Sequence, residues 1–341
     1  MTGKVSGYIP VLALSFLLSC TKLPPRIESF NGFAQGTTYS VVYDDNRKFE
    51  PSELREQVEK ILRDFDMSLS LYKDSSILCR VNRNEDVKVD TYFTESFKKS
   101  LDIYRMTGGA FDITVGPLVR AWGFGPDEHR NFTERKRDSL LRLVGMDKIS
   151  LRDGKVVKAD TGIKLDFNAI AQGYSVDVVC DYLKSRGLKN YLVEIGGEVR
   201  AVGKKGDEKW RIGIDRPEEN NFTPGEDLEA IISISDESLA TSGNYRKFYV
   251  ENGIKYSHTI NPKTGYPAKN NLLSATILAS DCGTADGIAT ACMVMGKENA
   301  VNFINEHPEF RAFFVYSDEK GNFRTWLSPE LQKMISDIQD N

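Results

Sequence analysis

The segment from His258 to Met295 restricts the possible folds of this chain more than any other. It begins as a loop, His258-Thr-Ile-Asn-Pro-Lys-Thr-Gly265-Tyr-Pro267, in which Pro262, Gly265 and Pro267 break any helix or strand. An apolar, β-branched run follows, Ser274-Ala-Thr-Ile-Leu-Ala279, and reads as a buried strand. Ser280-Asp-Cys-Gly-Thr284 then turns the chain into a helix over Ala285–Met295. In that helix Asp286 and Thr290 stand four residues apart, so their oxygens leave one face. A carboxylate and a hydroxyl so placed form a hard oxygen pair of the kind Mg²⁺ or Ca²⁺ accepts. The same two residues have a plainer explanation. The helix dipole favours an Asp in a first turn, and a Thr in an Ala-rich helix can simply pack. His258 stands one strand earlier, and a metal with a base is a constellation for phosphoryl chemistry.

Elsewhere strands and helices alternate irregularly. Gln35-Gly-Thr-Thr-Tyr-Ser reads as a strand entered through a tight turn. Pro51–Asp66 reads as an amphipathic helix with Leu54, Val58, Ile61, Leu62 and Phe65 on one stripe and Ser52 as N-cap. Thr94–Thr107 is expected as a helix with Phe97, Leu101 and Tyr104 inward, stopped by Gly108-Gly109. Thr133 caps a polar helix, and Asp153-Gly154 marks a hairpin. Asp166 is expected to end a strand and Asn168 to cap the helix that runs to Arg186. A strand, the pair Gly196-Gly197 and a second strand follow. Ile231–Leu239 reads as one strand, Ala240–Tyr245 as a small-residue turn, and Pro329–Ile338 as a terminal helix. Several hairpins among the helices argue for an α+β fold with mixed or antiparallel sheets, not a doubly wound parallel sheet. No strand–GxGxxG–helix unit or P-loop is present.

The chain has 341 residues and a net charge of −4, so it has a sizeable core and no basic surface for nucleic acid. Its first residues read as an export signal: Lys4, then an apolar stretch Tyr8–Leu18 too short for a comfortable membrane span. Leu17-Leu18-Ser19-Cys20 resembles a bacterial lipobox, which implies cleavage before Cys20 and a lipid on its sulfur. A plain secretory signal that happens to contain a Cys is the alternative. The expected organisation is a signal peptide over 1–19, a lipidated tether over 20–29 and one domain over 30–341. Cys79, Cys180, Cys282 and Cys292 match no zinc spacing and are expected as mostly buried free thiols.

Taken in order, the motifs resemble one family. They are Gln35-Gly-Thr-Thr-Tyr-Ser, Gly109-Ala-Phe-Asp-Ile-Thr-Val-Gly-Pro-Leu-Val, Trp122-Gly-Phe-Gly, Leu165-Asp-Phe-Asn-Ala-Ile-Ala-Gln-Gly-Tyr-Ser-Val-Asp, Glu194-Ile-Gly-Gly-Glu-Val, Thr241-Ser-Gly-Asn-Tyr, Ser257-His-Thr-Ile-Asn-Pro-Lys-Thr-Gly-Tyr-Pro and Thr284-Ala-Asp-Gly-Ile-Ala-Thr-Ala. Each is weak alone; the ordered set resembles the ApbE-type FAD:protein FMN transferases. The resemblance implies an ApbE-like fold with a flavin site between its two halves. It implies FAD as substrate, Mg²⁺ (or Ca²⁺ or Mn²⁺), release of AMP, and transfer of FMN to a Thr or Ser of an acceptor flavoprotein. Acceptors of this family include subunits of membrane redox complexes, which suit an exported, membrane-anchored lipoprotein on the periplasmic side of an inner membrane or on an outer membrane. The family pattern further implies flavin contacts at Gln35, Tyr72, Ala110, Phe111, Asp112, Asp166, Gln172 and Ile260. It implies metal ligation by Asp286, Thr290 and the Ala169 carbonyl. Gln35 stands where Met is frequent, and Gln172 where Lys or Glu is frequent. His258 is the candidate base, with His129 and His307 as competitors. Two alternatives are an FAD pyrophosphatase, with water as acceptor, and a flavin-binding lipoprotein without turnover.

Overall fold

The computed structural model describes residues 26–44, 49–124, 132–216, 227–244, 248–251 and 254–338. Cys20, the signal segment, His129 and Tyr245 lie outside them. The chain enters as a hairpin, β1 (Ile27–Ala34) and β2 (Thr37–Asp44). Its turn residues Gln35 and Gly36 both have positive φ, 53° and 75°, the geometry of a two-residue hairpin loop. β1 thus begins inside the stretch expected as tether. Helices α1 (Pro51–Leu69), α2 (Ile77–Asn82), α3 (Thr91–Met106), α4 (Gly116–Ala121) and α5 (Glu134–Leu141) follow. Next come the hairpin β3 (Ile149–Arg152) and β4 (Lys155–Lys158), then α6 (Ala171–Ser185). Strands β5 (Tyr191–Ile195), β6 (Glu198–Val202), β7 (Trp210–Asp215), β8 (Leu228–Ile234) and β9 (Glu237–Gly243) precede the hairpin β10 (Phe248–Glu251) and β11 (Ile254–Ser257). The chain continues with β12 (Leu272–Ala279), α7 (Cys282–Met295), α8 (Lys297–Glu306), β13 (Arg311–Ser317), β14 (Phe323–Leu327), α9 (Pro329–Gln332) and β15 (Ile335–Ile338).

Eight strands form one antiparallel sheet in the order β1-β2-β5-β6-β9-β12-β13-β14, and a smaller antiparallel sheet has the order β15-β8-β7. This is the α+β class. The large sheet lies between helices and the small sheet. On the helical side α6 packs on β5 and β6, and α7 packs on β9, β12 and α6. On the other side Trp210, Ile212 and Ile214 of β7 meet Leu239, Leu278 and Phe313 of the large sheet. β12 is therefore buried on both faces, with Ala275 and Ile277 toward the helices and Leu278 toward the small sheet. A strand covered twice shows a near-continuous apolar run, here interrupted only by Ser274 and Thr276, which is how it stood out in the sequence. α7 is buried nearly all round, as a helix made mainly of small and apolar residues should be.

Several local expectations are corrected. Ser52 does not cap α1: Pro51 occupies the first helical position, and Glu50 precedes it without a side-chain cap bond. α3 starts at Thr91, capped by Asp90, and buries Phe93, Phe97 and Ile103, while Leu101 and Tyr104 are half-buried. Asp166 lies in no strand, and Asn168 does not cap α6, whose cap position is Ile170. The segment Ile231–Leu239, expected as one strand, belongs to two strands in two sheets. It reverses at Asp236 (φ 57°), whose Oδ1 accepts from Gly203 N. Ala240–Gly243 is strand, not turn, because it pairs with Ser274–Ile277 of β12. Small residues are needed there so that α7 can lie close on β9. The terminal helix stops at Gln332, and residues 335–338 pair with the open edge of β8 instead. α7 starts three residues earlier than expected, which puts Asp286 in its second turn. The four described cysteines are free, and Cys180, Cys282 and Cys292 are buried, as expected.

Candidate functional site

A cavity of about 1880 Å³ opens between the β1–β2 turn, α1, the start of α6, β7, β9, α7 and the loop at His258. Apart from the competing histidine His307, every candidate site residue within the described part of the chain lines it. They come from both halves of the sequence, from Gln35 to Thr290.

One wall is the contact between α6 and α7. Gly173, in the first turn of α6, lies so close to α7 that a Cβ there would sit 2.4 Å from Cys282 O and 2.7 Å from Asp286 Cβ. That closeness lets Gly173 N donate to Asp286 Oδ2 at 3.1 Å. Asp286 is 6% exposed and takes no other hydrogen bond from the described residues. Burial without a counter-charge pushes its pKa up to about 7, and the Gly173 bond offsets this only in part. One helical turn further, Thr290 Oγ1 lies 3.0 Å from Ser242 Oγ of β9. Ala169, two residues before α6, lines the cavity beside them. Among the described residues no cluster of three or more His, Cys, Asp or Glu side chains could hold a metal. A cation here would draw on one carboxylate, a hydroxyl, a carbonyl, water and its substrate. Those are the hard oxygen donors Mg²⁺ takes, and Asp286, buried with one oxygen unbonded, fits a cation.

A second wall is built around the turn after α3. Gly108 and Gly109 adopt φ of 56° and 81°, which ends α3 and brings Ala110, Phe111 and Asp112 to the cavity. Asp112 is 7% exposed, and its Oδ1 accepts from Thr114 N at 2.7 Å and Thr114 Oγ1 at 2.6 Å. Burial outweighs these bonds and raises its pKa to about 6. Asp166, also buried, accepts from Asn168 N at 2.8 Å, and its own N donates to Ile113 O at 2.7 Å. Desolvation raises its pKa as well.

Gln35, at the hairpin turn, accepts from Ser175 Oγ at 3.3 Å, while its Nε2 is buried with no partner. Such a donor is costly to leave unmade and suits an acceptor atom on a ligand. Gln172 packs its amide against Gly196, where a Cβ would meet Nε2 at 2.5 Å. Tyr72 stands at the rim, 69% exposed, and Ile260 lies in the bridge to Pro267. His258 is half-buried, with its ring 6.5 Å from Phe124 and edge-on to it. His307 is not in the cavity; it ends α8 and bonds Glu309.

Three further side chains belong to the site although their motifs assigned them no role. Ser242 pairs with Thr290, and Glu194 and Glu198 line the wall at the double glycine. The motifs Glu194-Ile-Gly-Gly-Glu-Val and Thr241-Ser-Gly-Asn-Tyr contain them, but nothing in the spacing says which side of a strand meets α7.

The ApbE family pattern matches residues 35–314. The FAD:protein FMN transferase of Haemophilus influenzae is 36% identical over 348 residues, covering 98% of this chain and 99% of that protein. That of Vibrio cholerae is 33% identical over 337 residues, covering 97% and 99%. Among solved structures, the flavin transferase ApbE from Vibrio cholerae superposes with a TM-score of 0.81 at 32% identity, covering 91% of this chain and 100% of that one. The apo flavinyl transferase ApbE of Pseudomonas stutzeri gives 0.82 at 32% identity, covering 92% and 98%.

Proposed function

The chain belongs to the ApbE family and is an FAD:protein FMN transferase, and on that basis we propose which of its residues perform the transfer. FAD is the substrate and a flavoprotein the acceptor. Asp286 carboxylate, Thr290 hydroxyl and Ala169 carbonyl hold a divalent cation, Mg²⁺ first and Ca²⁺ or Mn²⁺ as alternatives. The observation that carries this is Asp286 itself, a buried carboxylate with an unbonded oxygen in the same cavity as the other two donors. When bound, the cation would neutralise the pyrophosphate and stabilise charge developing on the departing AMP.

The chain's own residues supply the rest. Gln35, Ala110, Phe111, Asp112, Asp166, Gln172 and Ile260 hold the flavin nucleotide, with Tyr72 closing over it from the rim. An acceptor Thr or Ser oxygen bonds to the phosphorus of the FMN half. The bond from that phosphorus to the bridging oxygen breaks, and AMP leaves with that oxygen. A hydroxyl is a poor nucleophile at neutral pH, and His258 takes its proton. Cys20 carries a lipid that anchors the enzyme on the periplasmic side of an inner membrane or on an outer membrane, within reach of flavin-carrying subunits of membrane redox complexes. Two acyl signals give stable anchoring where one does not.

The test mixes the protein with FAD, Mg²⁺ and an acceptor domain bearing an exposed Thr, followed by intact-mass and AMP measurement. An acceptor heavier by one FMN, with AMP and loss of both on EDTA, is expected. AMP and free FMN beside unmodified acceptor would make the protein an FAD pyrophosphatase. Lipidation is read separately, as loss of membrane association in Cys20→Ala.

A further inference from the structure

We propose that Asp177 is a positioning residue for the cation site, holding α7 at the depth and rotation that aim Asp286 and Thr290 into the cavity. The inference rests on the cation reading above. Asp177 lies on α6, 5% exposed, four residues after Gly173 and so on the same face. Its Oδ1 accepts from Cys282 N and its Oδ2 from Gly283 N, both at 2.9 Å. These are the first two N–H groups of α7, which have no partner within their own helix. The third, Thr284 N, donates to Asp281 Oδ1 at 2.9 Å. A cap from the preceding residue would suffice to end a helix. Here a second carboxylate, from another helix, takes two consecutive donors with the two oxygens of one planar group. That geometry restrains sliding along the α7 axis and rotation about it together.

The clamp is itself held. Arg200 of β6 donates from Nη1 to Asp177 Oδ1 at 2.7 Å, and Lys99 of α3 holds Asp281 at 2.8 Å. Among the described residues the hydrogen bonds between α6 and α7 are this pair and the Gly173–Asp286 bond one turn away. The proposed ligands divide between the same two helices. Ala169 precedes α6, while Asp286 and Thr290 follow the clamp on α7 by one and two turns. Releasing the N-terminus of α7 therefore changes the spacing of the ligand set. Groups that orient metal ligands from behind typically change metal affinity about 10–100-fold when removed.

The experiment compares Asp177→Asn with the wild type in two titrations. Mg²⁺ binding is read from the rise in melting temperature at saturating FAD, and FAD binding from flavin fluorescence without metal. Asn cannot accept from both N–H groups and loses the charge that pairs with Arg200. The expected result is Mg²⁺ affinity weakened about tenfold or more, with metal-free FAD affinity within about threefold. Wild-type Mg²⁺ affinity in a folded Asp177→Asn overturns the proposal. Where Asp177→Asn gives no cooperative melt, Asp177→Glu takes its place, since it keeps the charge and both acceptor oxygens but sets them one methylene further from α6. It is expected to weaken Mg²⁺ about tenfold by displacing α7, and unchanged Mg²⁺ affinity again overturns the proposal. A wild type whose melting ignores Mg²⁺ defeats the cation reading, and the clamp's role with it.

Discussion

Replacing Gly173 by Ala sets two physical effects against each other. By helix propensity alone, Ala in α6 should stabilise by about 1 kcal/mol. The structure reverses the sign. The new Cβ would lie 2.4 Å from Cys282 O, 2.8 Å from Cys282 C and 2.7 Å from Asp286 Cβ, all unable to swing aside. Carbon atoms settle at about 3.5–4.0 Å, so the helices must part by about 0.8 Å or more. The 3.1 Å bond from Gly173 N to Asp286 Oδ2 then stretches to about 3.9 Å and is lost. Overpacking costs about 1–3 kcal/mol and a bond to a charged group about 1.5–3 kcal/mol. After the propensity gain the net loss is about 2–5 kcal/mol. That corresponds to a melting point lower by roughly 3–7 °C for a chain of this size. A shift of nearly 1 Å between Ala169 and Asp286 should also cost about 10²-fold in FMN transfer. Calorimetry and the acceptor-mass assay on one preparation test both. A Gly173→Ala protein that melts at or above wild type and transfers within threefold of its rate would mean that the close helix contact is not what sets the ligand spacing.

Asp286→Ala should abolish metal-dependent transfer while the protein still melts cooperatively; transfer at the full rate would remove Asp286 from the ligand set. His258→Asn should lower kcat about 10²–10⁴-fold with FAD affinity nearly unchanged, and a wild-type kcat would rule it out as the base. Asp112 offers a pH test without FAD. Its folded pKa is raised from 3.8 to about 6, so the folded state holds the proton more tightly. Its stabilising contribution is full below pH ~4 and is lost as pH rises to ~6, an effect of about 3 kcal/mol at most. Asp112→Asn keeps an acceptor for Thr114 and should melt higher than wild type at pH 8, the gap closing below pH ~4. A gap independent of pH would contradict the burial argument.

The features legible in the sequence are local ones. The Asp153-Gly154 turn is a hairpin because both residues tolerate positive φ, 51° and 73°. β12 and α7 stand out as mainly apolar stretches, since elements buried on all sides carry few polar residues and those few are hydrogen-bonded or sit at the site. The ordered motifs point to residues that share one cavity. Strand partners are not legible. Ile231–Leu239 looks like one strand, because apolar and polar residues alternate up to the reversal at Asp236 and nothing local says that its halves join different sheets. The last residues look helical, but the vacant edge of β8 pairs them as β15.

The α+β class, most elements and, through motif order, the family and its candidate residues follow from the amino-acid sequence alone. How those residues act together is a property of the folded chain. Asp177 meets Cys282 across 105 positions and Gly173 meets Asp286 across 113. Propensity and periodicity act over one or two helical turns. The burial that raises Asp286 to about 7, and the clamp that aims its helix, arise only when segments distant in sequence exclude water from the same space.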